Sequence, residues 1–455
     1  MNLSPWIHQL ARTRPVKTLC ESHEADVAII GGGIAGTMTA YFTLRDTEKT
    51  VTLIDAGKIA HGATGHNAGQ VVAYFERPFS ELVEEFGLDM ATRGIESLRH
   101  AWDLLVEIIA EAELQTPFSV CTGYAGCSSL DQLLLHLNNK KLRHKEGLDI
   151  ESILIAEEFV KIEELPEEFQ SLCAPVPQSH ILERLETEDS SYLALLSTRK
   201  GCINSAMLCE EIIGYLLEKY STRFQVFEEA PVQELILEKD HAVVVTKACT
   251  TTTKRAVLCT NGFEYIKILN TLGSDIDLKF HEEVSGLVGY MSGYLTDPEK
   301  IPTAISYFTT TGADAYEPYF YVTRRKYEYE KGKQHNLVCI GGPEQPLPDK
   351  SMYIRDHEFR KDAETAIDNF VVKTYKHKPA YTFKWHGLMG YTKNGVRLIG
   401  PEPCNPVLLY NLGCNGVGIL SSIFGGKRIS KFLNHRTLEK TIFDPQDQRC
   451  ALPRK

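Results

Sequence analysis

Gly31, Gly33 and Gly36 are spaced G-x-G-x-x-G and follow directly on the apolar run Val27-Ala28-Ile29-Ile30. Glycines at that spacing can hold a pyrophosphate. The first permits a tight turn, the second lets the backbone approach the phosphates with no Cβ between them, and the third lets helix and strand pack closely. A helix opening at Ile34-Ala35 adds free N–H groups and a partial positive charge at the same place. Asp55 closes the next apolar run, Val51-Thr52-Leu53-Ile54, 19 residues beyond Gly36. A carboxylate there can accept ribose hydroxyls and repels a 2′-phosphate. These residues alone leave the ligand open between NAD and FAD.

Two more stretches are built from small residues. One is Gly62-Ala63-Thr64-Gly65-His66-Asn67-Ala68-Gly69-Gln70, which follows Asp55-Ala56-Gly57; the other is Gly413-Cys414-Asn415-Gly416-Val417-Gly418. His66 lies within the first of these, and His386 follows Trp385; both imidazoles can titrate near neutral pH. Tyr319 and Tyr321 alternate along a strand-like run, so they share one face.

The elements that must position these residues read as follows. Strand, glycines, helix (Ile34 to Arg45), strand is the order of a parallel unit. Arg93 to Leu114 reads as a long amphipathic helix, and Ser205 to Lys219 as another. Strands are expected around Phe224 to Phe227, Ala242 to Thr246, and Ala256 to Cys259 leading into Thr260-Asn261-Gly262. Residues Leu287 to Glu344 read as antiparallel strands. Leu408 to Asn411 forms a last strand that runs into the second glycine turn and a helix to about Leu433. The stretch Glu111 to Ser191 carries no clear pattern.

Composition bounds the function. A chain of 455 residues is too long for one core. A net charge of -11 argues against nucleic-acid binding and is compatible with a cationic substrate such as an amine. No apolar run is long enough to span a membrane, and Met1 to Glu24 lacks the apolar block of a signal peptide. Twelve scattered cysteines without a C-x-x-C pair fit reduced thiols in a cytoplasmic protein, with no metal site expected.

With Asp55-Ala56-Gly57, the stretch Gly62 to Gln70 resembles the D-amino-acid-oxidase-like (DAO) family of FAD-dependent oxidoreductases, whose small-residue stretch passes the flavin. The C-terminal block is similar to the family's closing block: Trp385-His386-Gly387, Thr392-Lys393-Asn394-Gly395, Ile399-Gly400 and the turn Gly413 to Gly418. The opening segment, with Ser4-Pro5-Trp6, is most similar to the gamma-glutamylputrescine oxidoreductase branch.

The resemblance covers about Asp26 to Leu433. It implies an α/β fold: a Rossmann-type FAD-binding domain with a parallel sheet, plus a substrate domain on an antiparallel β-sheet. The expected division is an N-terminal extension (1–24), a discontinuous FAD-binding domain (25–110, 192–275 and 380–440), a substrate domain (111–191 and 276–379) and a C-terminal tail (441–455). The resemblance also implies FAD contacts at Gly31, Gly33, Ile34, Ala35, Gly36, Asp55, Ala56, Thr64, Gly65, His66, Asn67, Ala68, Gly69 and Gln70. Further contacts are implied at Val232, Thr260, Asn261, Gly262, Gly413, Asn415, Gly416, Val417 and Gly418. Tyr319, Tyr321 and His386 are the candidates for substrate-facing catalytic positions.

The chain also departs from the family. A histidine matching His66 is covalently bonded to flavin in one branch and is a polar contact in others. Glycine and D-amino-acid oxidases grip the substrate carboxylate with an arginine near the place of Met389; Arg397, Arg324 and Arg325 are alternative partners. The flavin-tethering cysteine of monomeric sarcosine oxidases falls near Gly387, and their oxygen-assisting lysine falls at Cys339. The expected activity is oxidation of an amine or amino acid at its C–N bond, by hydride transfer to flavin. A tRNA-modifying FAD oxidase, a dehydrogenase using an acceptor other than oxygen, and a flavoprotein without turnover are the alternatives.

Overall fold

The computed structural model describes residues 2–148, 151–262, 265–298, 301–309, 320–349 and 353–446. Two sheets organise them. The first has nine strands, and its parallel centre runs Thr250–Leu258, His23–Ile30, Val51–Ile54, Phe224–Phe227. Leu408–Leu412 adds a further parallel strand beside Thr250–Leu258, with Ala256 opposite Leu408. All four residues of Val27-Ala28-Ile29-Ile30 are buried, as a strand covered on both faces demands. Val232–Leu237 and Ala242–Thr246 extend this sheet as an antiparallel pair.

Helix Ile34–Asp46 covers one face of that sheet and helix Gly418–Leu433 crosses it. Their backbones touch there: a Cβ on Gly426 would lie 2.7 Å from the Met38 carbonyl carbon. Helix Ser205–Lys219 begins where the Asn204 side chain accepts the N–H groups of Ala206 and Met207. The long helix spans Leu88–Glu111.

The second sheet has ten strands. Its order is Phe383–Thr392, Val284–Thr296, Lys333–Leu347, Phe320–Glu330, Thr303–Tyr307, Phe118–Cys127, Ala194–Ile203, Glu151–Ala156, Ala174–Val176, with Gln70–Val71 pairing Ala194–Ile203. Most of its ladders are antiparallel. The fold is therefore the expected mixed α/β architecture. Ala194–Ile203 and Phe383–Thr392, which the sequence pattern places in the FAD-binding segments, hydrogen-bond within this second sheet. The unpatterned stretch 111–191 supplies its outer strands and helix Leu130–Lys145, which starts in a Ser129–Gln132 capping box. Among the described residues no helix is long and apolar enough to cross a membrane.

Candidate functional site

A cavity of about 1140 Å³ lies between the two sheets and runs from the first glycine loop to the second sheet. At one end it is walled by Gly31, Gly33, Ile34, Ala35, Asp55 and Ala56, with Val232 and Thr260 across from them. Gly31 has φ +105°, and a Cβ there would sit 2.7 Å from the Cys259 carbonyl oxygen, so only glycine fits. Gly36 stands outside the wall, where a Cβ would lie 1.8 Å from the Gly31 oxygen; its task is close packing of helix on strand. The Asp55 carboxylate accepts the N–H groups of Gly32 (2.6 Å) and Gly57 (2.7 Å). Burial holds its pKa above the usual range despite those bonds. The Thr260 hydroxyl is buried at the wall without a hydrogen-bond partner.

The stretch 62–70 forms the next part of the wall, where Thr64, His66, Asn67, Ala68, Gly69 and Gln70 face the cavity. The rest of the chain holds this stretch tightly. Thr64 Oγ1 accepts the Ile34 N–H (3.0 Å). The Ser4 hydroxyl donates to the Gly65 carbonyl, and the fully buried Trp6 indole donates to the Asn67 carbonyl at 2.6 Å. Gly65 itself is turned away from the cavity, against Ala60 and Ile7. His66 Nδ1 lies 3.0 Å from the Gly62 carbonyl, so this nitrogen is the donor and Nε2 carries the lone pair. Burial lowers its pKa to about 4 and keeps the ring neutral.

Arg325, a sequence candidate for gripping a substrate carboxylate, serves that stretch instead. It donates to the carbonyls of Ala68 (2.7 Å) and Ile203 (2.9 Å), and its guanidinium stacks 4.2 Å over the Trp6 ring. The partners lie far away in the chain, so sequence alone could not show them. Arg324 is spent in a two-bond pair with Glu186 (2.6 and 2.7 Å). Arg397 reaches the cavity wall, but it donates to the Asn411 side chain (2.7 Å) and to the carbonyls of Asn411 (2.8 Å) and Gly413 (3.3 Å).

The closing turn brings Asn415, Gly416, Val417 and Gly418 to the cavity, where the last helix starts. Asn261 and Asn415 knit this turn to strand Phe383–Thr392. Asn261 Oδ1 accepts the Cys414 N–H (2.9 Å), and Asn415 Oδ1 accepts the Thr392 N–H (2.8 Å). Gly262 and Gly413 lie behind the wall, packed on Val284 and on Thr392.

The opposite end is a floor made by three neighbouring strands. Each turns alternate residues to the cavity: Gly387, Met389 and Tyr391; Leu287, Gly289 and Met291; Gly342, Glu344 and Pro346. Register aligns them, with Leu287 opposite Met389 and Gly289 opposite both Gly387 and Glu344. Tyr321, Ser306, Tyr74 and Glu76 complete this end. The Tyr321 ring lies over Gly341, where a Cβ would sit 2.4 Å from it. Behind Ser306 is Lys200, 2% exposed, whose ammonium donates to the Ser306 hydroxyl at 3.1 Å. Burial lowers the Lys200 pKa to about 8. Tyr74, Glu76, Lys200, Glu344 and Tyr391 carry no motif that sequence reading could find; only strand pairing brings them together.

The other candidates fall elsewhere. His386 is absent from the wall: its Nε2 lies 3.1 Å from the His357 carbonyl, and the ring packs among Tyr290 and Tyr353. On a strand whose neighbours 387, 389 and 391 face the cavity, residue 386 points to the other face. Tyr319 lies outside the described residues. Cys339 is fully buried off the wall. Among the described residues no cluster of three or more His, Cys, Asp or Glu is placed to hold a metal ion.

Comparison with known proteins bears on this geometry. Residues 26–431 match the DAO family model, described as FAD dependent oxidoreductase. A putative Rieske 2Fe-2S iron-sulfur protein YhfW of Bacillus subtilis (strain 168) is 36% identical over 96 residues, 21% of this chain and 19% of that protein. A gamma-glutamylputrescine oxidoreductase of Escherichia coli (strain K12) is 35% identical over 77 residues, 17% of this chain and 18% of the other. These two matches thus span about a fifth of each curated relative's length. Among solved structures, glycine oxidase from Geobacillus kaustophilus superposes with a TM-score of 0.67 at 14% identity, over 94% of this chain and 99% of that one. L-proline dehydrogenase from P. horikoshii gives 0.66 at 13%, over 95% and 97%. These structural likenesses establish the fold.

The residues present fit FAD. The glycine loop and the helix start at Ile34 suit a pyrophosphate, Asp55 suits ribose hydroxyls, and the partnerless Thr260 hydroxyl is a polar group left for a ligand. The length of the cavity, from that loop to the closing turn, suits the flavin at the far end.

Proposed function

Because the chain belongs to the DAO family of FAD-dependent oxidoreductases, we propose that it oxidises the C–N bond of a small amine or amino acid, removing hydride from the carbon next to nitrogen. The observation that carries this reading is the continuity of the cavity from the dinucleotide loop to a floor of aromatic and apolar side chains. The names of three similar proteins support it: a gamma-glutamylputrescine oxidoreductase, a glycine oxidase and a proline dehydrogenase all denote nitrogen-bearing substrates, although an L-alpha-glycerophosphate oxidase shares the fold.

FAD, when bound, supplies the hydride acceptor. The chain supplies position and charge. Leu287, Met291 and Met389 hold the substrate's carbon frame. The helix start at Gly418 offers partial positive charge where negative charge develops. Tyr74, Tyr321 and Tyr391 stay protonated, because burial, reinforced by nearby carboxylates, raises their pKa. They therefore donate hydrogen bonds and exclude water rather than act as bases. An amine that enters neutral needs no strong base, and the imine product hydrolyses in water to an aldehyde or keto compound. Ten of the eleven cysteines among the described residues are free, which suits a cytoplasmic setting, but Cys404 is disulfide-bonded, against the expectation of reduced thiols throughout.

Anaerobic mixing of the holoenzyme with a panel of amines, amino acids and N-methyl compounds tests this reading. Bleaching of the flavin absorbance by at least one class is expected; no bleaching by any member sinks the proposal. The electron acceptor is a separate question. Cys339, at the place of the oxygen-assisting lysine, supplies no cation and lies off the wall, which favours an acceptor other than oxygen. Reoxidation of the reduced enzyme by air as fast as by a quinone or dye acceptor would exclude that choice.

A further inference from the structure

Among the described residues Lys200 is the one buried lysine. It starts on strand Ala194–Ile203, and its stem crosses the neighbouring strand Phe118–Cys127 to reach Thr303–Tyr307. The crossing is prepared in the backbone. A Cβ on Gly123 would lie 2.2, 2.4 and 2.9 Å from Lys200 Cδ, Cγ and Cβ, so only glycine leaves the stem room. The ammonium then ends 3.1 Å from Ser306 Oγ and over the Tyr74 ring, 5.9 Å from its centroid. Ser306 stands opposite Tyr321 in register, and both face the cavity.

A buried cation ordinarily ends on a carboxylate. The hydrogen-bond partner of Lys200 is a hydroxyl instead, and the carboxylate that acts on it, the exposed Glu76, does so through its charge. An ammonium only donates, so Ser306 Oγ accepts and the serine's own hydrogen is left for another group. No acceptor takes it among the described residues, and the serine lines the cavity. A hydroxyl that accepts from a cation is in turn a stronger donor.

Net charge does not select what takes that hydrogen. Lys200 and Glu76 offset each other. Glu344 is exposed and has interactions of its own. Arg77 pairs with Glu81 and Glu85, and Arg397 holds the closing turn. Neither a substrate carboxylate nor a second ammonium thus meets an unanswered counter-charge. Donors are what this end offers: the Ser306 hydroxyl and, beside it, the Tyr321 phenol, which burial keeps protonated. The group that matches them is an uncharged oxygen acceptor.

Resting on the amine-oxidation reading above, we propose that Ser306, polarised by Lys200, donates a hydrogen bond to an uncharged carbonyl oxygen of the substrate. The preferred substrate class is then an amine that carries an amide or other carbonyl group away from the reacting nitrogen. Ser306 is a specificity residue, and Lys200 is a positioning residue that acts through it.

The test varies only the group at the far end. At each of several chain lengths, a monoacetylated α,ω-diamine, the alkylamine of equal heavy-atom count and the ω-amino acid are mixed anaerobically with the holoenzyme. The concentration dependence of flavin reduction gives an apparent Kd for each. The acetylated diamine is expected to bind roughly tenfold more tightly than the alkylamine, and the amino acid no more tightly than the alkylamine. Ser306→Ala should remove most of that preference, and Ser306→Thr, which keeps the hydroxyl, should retain it.

The part played by Lys200 is read from pH. Burial lowers its pKa to about 8. Of the other groups that face it, burial raises Tyr74, the bond with Cys202 and burial raise Cys121, and that same bond lowers Cys202; a carboxylate such as Glu76 titrates several pH units lower. A neutral Lys200 accepts from Ser306 and turns its hydrogen away from the cavity. The wild-type preference for the acetylated diamine should therefore fall as pH rises through about 8, while the residual preference of Ser306→Ala stays flat.

If acetylated diamine and alkylamine bind alike, or Ser306→Ala keeps the preference, the role of Ser306 is refuted while amine oxidation stands. A flavin potential that shifts in Ser306→Ala with the preference intact would put the hydroxyl against the flavin and likewise overturn it. A preference flat across pH 8 in the wild type removes Lys200. Calorimetric binding to dithionite-reduced holoenzyme, which cannot turn over, should give the same order, and equal affinities there refute the carbonyl contact. If no amine reduces the flavin, the amine reading falls and the proposal falls with it.

Discussion

The two ends of the cavity are built in different ways. At the dinucleotide end, backbone does most of the work: Gly31 makes the tight turn, its own N–H given to the Ile54 carbonyl (2.8 Å), Gly33 leaves space for the phosphates, and Gly36 is required only because a Cβ would strike the Gly31 carbonyl. At the substrate end, side chains do it: Met389, Tyr391 and Glu344 reach the cavity from strands paired in register. A backbone site tolerates few residues at fixed spacing. A side-chain site on a sheet can change its chemistry at each inward position without disturbing the ladder.

That contrast can be broken most severely at the backbone end. Gly36→Val should yield protein without flavin and cost about 3 kcal/mol of stability. The ratio of flavin to protein absorbance and a denaturant melt would show it, and a variant that keeps stoichiometric FAD would refute the packing argument.

The next effect tests how the N-terminal segment is tied to Ile59, in the loop before the stretch 62–70. The side chain of Glu228 is fully buried; it accepts Arg12 (2.6 Å), Arg14 (2.7 Å) and the Ile59 N–H (2.7 Å). Glu228→Gln should cost about 3 kcal/mol, as for a broken buried ion pair. Burial opposes its charge, but the bonds from Arg12 and Arg14 win, so its pKa lies below the ordinary value. A lowered carboxylate pKa stabilises the fold above the unfolded value, and that stability is lost as pH falls through the folded one. Wild-type Tm should therefore drop on acidification below about pH 4 more steeply than that of the variant; parallel Tm curves would contradict this.

At the substrate end, Met389→Arg places a cation in the floor. It should raise affinity for carboxylate-bearing amines about tenfold and lower it for diamines, read from anaerobic flavin reduction, with no change in bound FAD. Unchanged selectivity would mean that residue 389 does not meet substrate. The smallest effect is expected at Arg355, which is exposed and shares the dinucleotide end with Asp55. Arg355→Met should weaken FAD retention roughly threefold to tenfold, measured by flavin fluorescence on dilution and more evident at low salt. FAD retention equal to wild type at low salt would remove Arg355 from the site.

The same contrast explains what could be read from the chain. Gly31 to Gly36 with Asp55, and the helix Ser205–Lys219, depend on neighbours close in sequence, so spacing and periodicity reveal them. Glu344 meets Gly289, and Gly289 meets Gly387, across 55 and 98 residues, so no local pattern marks the floor. Arg325 and His386 show the converse error. Both are residue types that do chemistry, yet Arg325 is bound to Trp6, Ala68 and Ile203, and His386 faces away beside His357. Distant partners decided both roles.

The central claim is that substrate lies between the flavin and the three-stranded floor. A crystal structure of the FAD-loaded protein with an unreactive amine analogue tests it most directly. The account predicts the analogue's nitrogen-bearing carbon against the flavin ring, with Met389, Tyr391 and Glu344 in contact with the rest of the molecule. An analogue seated elsewhere, or a flavin ring that blocks those three residues from it, would contradict the account.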